Sequence, residues 1–199
     1  MKLKKIFFFF LLAITTSCYS QTQSNVRDIT KFNFLNPGVS YEKSVNKNQT
    51  LFFNGFINPF FTFTVSGSLG NSSSILFEPS FNTQYRFYYN SINREKKGQT
   101  TTFNNLNYVA PVYEIFYTKR NFLANYVSET KARSVNKIGV VWGLQRNYAK
   151  RFSLDINIGL GYLFTKGTTI DNIGNLVKTN INQATLLGHL NLGFWLNKK

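Results

Sequence analysis

The sequence predicts an all-β protein, an antiparallel up-and-down transmembrane β-barrel of eight strands. Three observations carry that expectation. First, Arg151–Phe164, RFSLDINIGLGYLF, sets Phe152, Leu154, Ile156, Ile158, Leu160, Tyr162 and Phe164 on one face. Ser153, Asp155, Asn157, Gly159 and Gly161 fall on the other, and only Leu163 breaks the alternation. A period of two held that long exceeds the usual strand of ~5–6 residues and meets the ~9–11 that a tilted strand needs to cross a bilayer. Second, no apolar run beyond the first twenty residues reaches the ~18 of a membrane helix, yet aromatics make up 17% of the chain, with 21 Phe and 11 Tyr. A membrane barrel consumes such residues in its interfacial girdles. Third, similar stretches recur, and their polar faces are Asn, Gly, Ser, Thr and Gln. A soluble barrel would show water a face dense in Lys and Glu.

The chain opens MKLKKIFFFFLLAITTSCYSQTQ, with Lys2, Lys4 and Lys5 before an apolar run and small residues after it. This reads as a secretory signal peptide over 1–20, cut after Ser20, with the barrel domain at 21–199. The competing reading is a lipobox, Thr15-Thr16-Ser17-Cys18, with Cys18 acylated. Cys18 is the single cysteine, so an intramolecular disulfide and thiol chemistry in the mature domain both drop out.

In Thr30–Val45, Phe32 and Phe34 are even-numbered outward candidates, whereas Val39 and Tyr41 are odd. Between them Asn36-Pro37-Gly38-Val39 has the Pro and Gly spacing of a type II turn. Either a hairpin folds here or a bulge re-phases one long strand. Gln49–Val65 follows a turn at Asn46-Lys47-Asn48. It carries Leu51, Phe53, Ile57, Phe61, Phe63 and Val65 on one face, and Asn54, Asn58, Thr62 and Thr64 with Phe52, Phe56 and Phe60 on the other. Pro59 there suggests a bulge or a strand end near the rim.

Gly67–Ser74 reads as a loop, Ile75–Tyr89 as a strand, and Asn90–Leu106 as a basic polar connection. Asn107–Lys119 and Val135–Tyr148 are strands around a loop at Arg120–Ser134. After the strand Arg151–Phe164, Thr165–Asn182 reads as a second long loop before Ala184–Leu196 closes the chain. Short turns after Val45 and Tyr148, and long loops after Tyr117 and Phe164, fit short turns on one side of a membrane and long loops on the other. Seven strands are plain. With the C-terminus on the short-turn side, that alternation requires an eighth, Arg27–Leu35, folding back at Asn36-Pro37-Gly38.

The segments KFNFLNPGVSYEKSV, YRFYYN, REKKG, GLQRNY, RFSLDINIGLGYLF and LGHLNLGFWL resemble the small outer-membrane β-barrel proteins of Bacteroidetes-type bacteria. The resemblance implies an OmpA/OmpX-like eight-stranded barrel in a bacterial outer membrane, a closing strand read by the barrel assembly machinery, and no catalytic motif.

The chain is strongly basic, with 23 Lys and Arg against 8 Asp and Glu. Nucleic acid is not the expected partner, because no recognisable nucleic-acid-binding signature accompanies the charge. The cations gather between strands, at Asn93–Lys97, Lys131-Ala132-Arg133, Lys150-Arg151 and Lys198-Lys199, as expected beside anionic headgroups of lipid and lipopolysaccharide. Glu42, Glu78, Glu114 and Asp155 fall on the inward phase, together with Arg86, Lys137 and His189. They are expected to form a structural polar network filling a lumen too narrow for open water. Glu78 and Arg86 are a candidate pair within it.

One histidine cannot build a histidine-rich metal site, and no metal, cofactor or catalytic residue is expected. Inward glycines at Gly139, Gly143, Gly159 and Gly161 make room in a narrow barrel. Trp142, Tyr148, Tyr162 and Trp195 suit an aromatic belt. The resulting expectation is a monomeric barrel with a structural or surface-interaction role. The alternatives are a soluble lipocalin-like periplasmic barrel binding a small apolar ligand, and a membrane-embedded lipid hydrolase using His189 with a serine and an acid.

Overall fold

The computed structural model describes residues 26–66, 70–120, 122, 129, 131–148 and 150–197. The signal peptide expected over 1–20, Cys18 and Lys198-Lys199 lie outside these residues. Eight strands follow in chain order: β1 Ile29–Asn33, β2 Gly38–Asn46, β3 Gln49–Ser66, β4 Gly70–Tyr88, β5 Asn107–Thr118, β6 Arg133–Asn147, β7 Phe152–Ile170 and β8 Leu176–Trp195. Each pairs antiparallel with the next, and β1 pairs with β8 to close the ring. The alternation explains the closure. One apolar face turned outward on every strand leaves the polar face inside, and closing the ring pairs the strand edges along the lower part of the wall.

The hairpin at Asn36-Pro37-Gly38 exists, with Ile29 opposite Glu42 and Asn33 opposite Gly38. Its turn is not type II, because the glycines with positive φ are Gly98 and Gly174. Gly38 is required by close approach instead. A Cβ there would sit 2.2 Å from the Gly55 carbonyl oxygen and 2.6 Å from the Phe56 Cα.

Pro59 makes neither a bulge nor a strand end. It pairs in regular register opposite Phe77, two residues after Ile57, whose N–H donates to the Pro37 carbonyl (2.9 Å). By strand parity, the N–H that Pro59 lacks would face the same β2 side, where β2 has already ended, so no ladder bond is lost.

Two predicted loops are strand. β4 begins at Gly70, within the predicted loop Gly67–Ser74. β7 and β8 run on as a hairpin to Ile170 and Leu176, within the predicted loop Thr165–Asn182. That extension is mostly Thr, Lys and Asn with Ile170, Leu176, Val177 and Ile181 scattered through it, so it shows no continuous apolar stripe to read. At its tip, N–H groups of Asn175 and Ile173 donate to the Asp171 carboxylate (2.8 and 2.9 Å) and hold its pKa below the usual aspartate range.

The connection from β4 to β5 holds a short helix, α1 Ser91–Lys96, and a 3-10 turn at Thr102–Asn104. It lies at the end with the short turns and the termini, and it caps the ring there. Asn147 donates to the Phe103 carbonyl (2.6 Å), Arg27 N–H donates to Asn104 (2.7 Å), and Phe103 stacks on Trp195 (centroids 4.6 Å apart). Trp195 is therefore an interior residue and not part of a belt. Its Nε1 donates to the Tyr148 carbonyl (3.0 Å). At the opposite end Leu163 turns inward to pack with Phe116, Val135, Ile181 and Phe122, which accounts for the one break in the alternation of β7.

Candidate functional site

Inward-facing polar side chains form three layers between those two caps. Register sets the first contacts, since residues opposite each other on neighbouring strands share a face. In the lowest layer Arg86 lies between Asp155 (2.8 Å) and Glu42 (3.9 Å), with Lys31 3.8 Å from the same oxygen of Asp155. All four are buried, and two cations match two carboxylates.

Neutral groups complete this cage. Tyr88 (2.5 Å), Thr50 (2.7 Å) and Gln145 (3.0 Å) donate to Glu42, and Tyr108 donates to Asp155 (2.7 Å). Arg86 donates to Gln84 (2.9 Å) and Gln145 (2.7 Å), and its guanidinium carbon lies over the rings of Phe52 and Tyr108, 3.6 and 4.2 Å from their centroids. Gly143 makes room for this arrangement, because a Cβ there would come within 2.4 Å of the Tyr108 ring. Buried charges persist only when partnered in this way.

The middle layer centres on Glu114. Lys137, directly opposite it on β6, donates to one oxygen (2.8 Å). His189, reaching across from β8, and Asn82 meet the other at 2.5 and 3.4 Å. The His189 ring also packs edge-on against Phe56. In the upper layer Glu78 takes two hydrogen bonds from Arg120, at 2.6 and 2.8 Å, while Phe60 packs 3.8 Å beneath the guanidinium. Nearby, Glu129 from the same β5–β6 connection pairs with Arg133 and accepts from Thr168.

The seven residues read from the sequence thus divide. Glu42, Arg86 and Asp155 meet in the lower layer, Glu114, Lys137 and His189 in the middle one, and Glu78 stands above them. The candidate pair Glu78–Arg86 does not form. Eight residues apart on one strand, those side chains are separated by roughly 27 Å. Glu78 pairs with Arg120 instead. Lys31, Tyr88 and Tyr108 were missed, although each shares the parity of inward neighbours and that signal could have found it. Arg120 lies beyond β5, and parity says nothing about a loop residue.

The register gives a test. Glu78→Ala and Arg120→Ala should couple in a double-mutant cycle by about 1–3 kcal/mol, and Glu78→Ala with Arg86→Ala should be additive. Urea unfolding of the refolded barrel in detergent reads both. Additivity of the first pair would rule out the upper lock.

A cavity of about 290 Å³ lies around the middle and upper layers, lined by Asn58, Ser80, Glu114, Arg120, Lys137 and His189, with Leu35, Asn36, Gly188 and Leu190 on its outer side. Ser80 shares it with His189 and Glu114, but its hydroxyl donates to the Glu78 carbonyl (2.9 Å). No serine among the described residues bonds to His189, so none of them forms a serine–histidine relay with it. Among the described residues no group of three His, Cys, Asp or Glu gathers as a metal site, and no helix is long and apolar enough to cross a membrane. No protein-family model, curated protein or solved structure matches this chain.

Proposed function

We propose that this chain is an integral barrel of a bacterial outer membrane, akin to the small Bacteroidetes-type barrels it resembles, with a structural or surface-interaction role and no catalysis. The observation that carries the reading is an inverted distribution of polarity. Leu160 and Leu186 are 71% and 72% exposed on the outer wall, whereas Arg86 and Glu78 are 0% and 1% exposed inside. A soluble barrel built around an apolar ligand would have the opposite arrangement.

Exposed apolar residues run along the wall from Phe194 and Leu196 up to Leu186 on β8, and from Ile156 to Phe164 on β7. Tyr41, Tyr85, Tyr89 and Tyr148 lie toward the lower rim, and Phe61, Phe77, Tyr117 and Tyr162 toward the upper one. Paired aromatic bands of this kind suit the two interfaces of a bilayer.

On this reading Lys119, Lys131, Lys166 and Lys178 stand beyond the upper rim, near lipopolysaccharide phosphates, and the cations of α1 and Lys150-Arg151 stand at the lower. The barrel is taken as a monomer inserted by the assembly machinery. Outer-membrane fractionation with an alkaline carbonate wash tests the reading. Retention in the washed membrane until detergent is added is the expected result, and release into the wash or recovery from the periplasm would overturn it.

A further inference from the structure

The first hairpin is much shorter than the strands on either side of it. β1 pairs with β8 only from Gly193 to Trp195, and β2 pairs with β3 only up to Phe56. At the tip of the hairpin three more bonds hold it: Phe34 N–H to the Leu192 carbonyl (2.9 Å), the Asn36 amide to the Leu190 carbonyl (3.3 Å), and Ile57 N–H to the Pro37 carbonyl (2.9 Å). Higher still, among the described residues, β3 is paired only with β4 and β8 only with β7. A notch is left in the wall.

This notch lies inside the apolar band. Exposed Ile57 and Phe61 border it on β3, and exposed Leu186 and Leu190 border it on β8. Within hydrocarbon an uncovered sheet edge leaves backbone groups unsatisfied, at a cost that membrane proteins do not sustain. Pro59 removes one such donor on the β3 side. Gly188 bares the backbone on the β8 side, where an added Cβ would meet only the Asn157 carbonyl oxygen at 3.4 Å.

The notch leads to the charged cavity. Gly188 and Leu190 face outward and yet line it, together with Leu35 and Asn36 of the hairpin tip. Inside, both oxygens of Glu114 are taken by Lys137, His189 and Asn82, and both oxygens of Glu78 by Arg120. The cations keep donors in hand. Among the described residues, Lys137 commits one of its three protons, and Arg120 bonds through its Nε and Nη2 and not its Nη1. The surplus is of donors, which suits an anionic head.

We propose that the notch between β3 and β8 is a lateral binding site for an acyl-chain amphiphile of the surrounding membrane. Its tail lies along the open edges, and its carboxylate or phosphate head reaches Lys137 and Arg120. This rests on the membrane reading above.

The test uses the refolded chain in phosphatidylcholine vesicles, with photoreactive stearate and, separately, phosphatidylcholine carrying the same photoreactive tail. Stearate adducts are expected to concentrate on Leu35, Asn36 and residues 186–190, while phosphatidylcholine adducts spread over the outer wall. Lys137→Gln, which removes the charge, should lower stearate labelling there about tenfold, the loss of roughly one charge-assisted contact, and Gly188→Trp, which fills the notch, should lower it at least as far. Ile158→Trp, elsewhere on the wall, should not.

Resistance to trypsin shows that each variant has folded, and Lys137→Gln decides the matter if Gly188→Trp does not fold. Uniform stearate labelling, or labelling that survives both variants, overturns the proposal. So does a crosslinked pair of barrels joined through the notch without stearate. Protection of Lys137 from acetylation by inorganic phosphate alone, with no stearate adduct, overturns it in favour of a soluble anion. A protein that washes off the vesicles in carbonate overturns the membrane reading itself, whereas one that stays but labels uniformly overturns only the notch.

Discussion

Replacing Arg86 with methionine is expected to cost the barrel about 3–5 kcal/mol, or to prevent refolding altogether. The length and much of the packing between Phe52 and Tyr108 would be kept, and only the charge and its hydrogen bonds lost. Asp155 and Glu42 would then face Lys31 alone, two buried carboxylates against one cation. An unbalanced buried charge is far more costly than the pair was worth, so the single change overstates what the pair contributes. The double variant Arg86→Met with Asp155→Leu restores the balance, leaving Lys31 and Glu42, and should recover part of the loss. Urea unfolding in detergent measures both. If the double variant were as unstable as the sum of its parts, the lower layer would be a set of independent contacts and not a charge-balanced cage.

That cage also shows how far a sequence of this kind can be read. The inward phase of Glu42, Arg86 and Asp155 follows from alternation alone, because in a strand the side-chain period is two and needs no tertiary information. Partners are another matter. They depend on register between strands, which turn lengths set, and on which loops fold into the ring. Glu78 shows the limit. Its separation from Arg86 along one strand already forbids their pairing, but nothing in the alternation points to Arg120.

The hairpin at Asn36-Pro37-Gly38 was legible from the change of phase between Phe34 and Val39. Its shortness beside β3 and β8, and hence the notch, was not. Strand ends beyond the apolar band carry no stripe, as Thr165–Ile170 and Leu176–Asn182 demonstrate. The capping of the lower end by the β4–β5 connection was equally hidden, because α1 and the Thr102–Asn104 turn read only as a polar basic stretch.

Outward and inward faces of β7 should respond oppositely to substitution, and the contrast is large. Leu160→Arg and Ile156→Arg place a guanidinium on the wall in the middle stretch of the Phe152–Phe164 apolar run, where both side chains are exposed. In a bilayer each should cost about 2–4 kcal/mol and block assembly. In water the same exposed positions would accept arginine almost freely. Asn157→Ser, between them in sequence but buried inside, loses a long 3.4 Å hydrogen bond to the Tyr108 hydroxyl. Serine keeps a donor and an acceptor there, so that change should leave assembly intact. Folding into phosphatidylcholine vesicles, followed by heat-dependent gel mobility, reads all three. Failure of both arginine variants with survival of Asn157→Ser requires lipid against the even-numbered face. Equal tolerance on both faces would mean that water bathes that face, and the apolar wall would then need a protein partner to cover it.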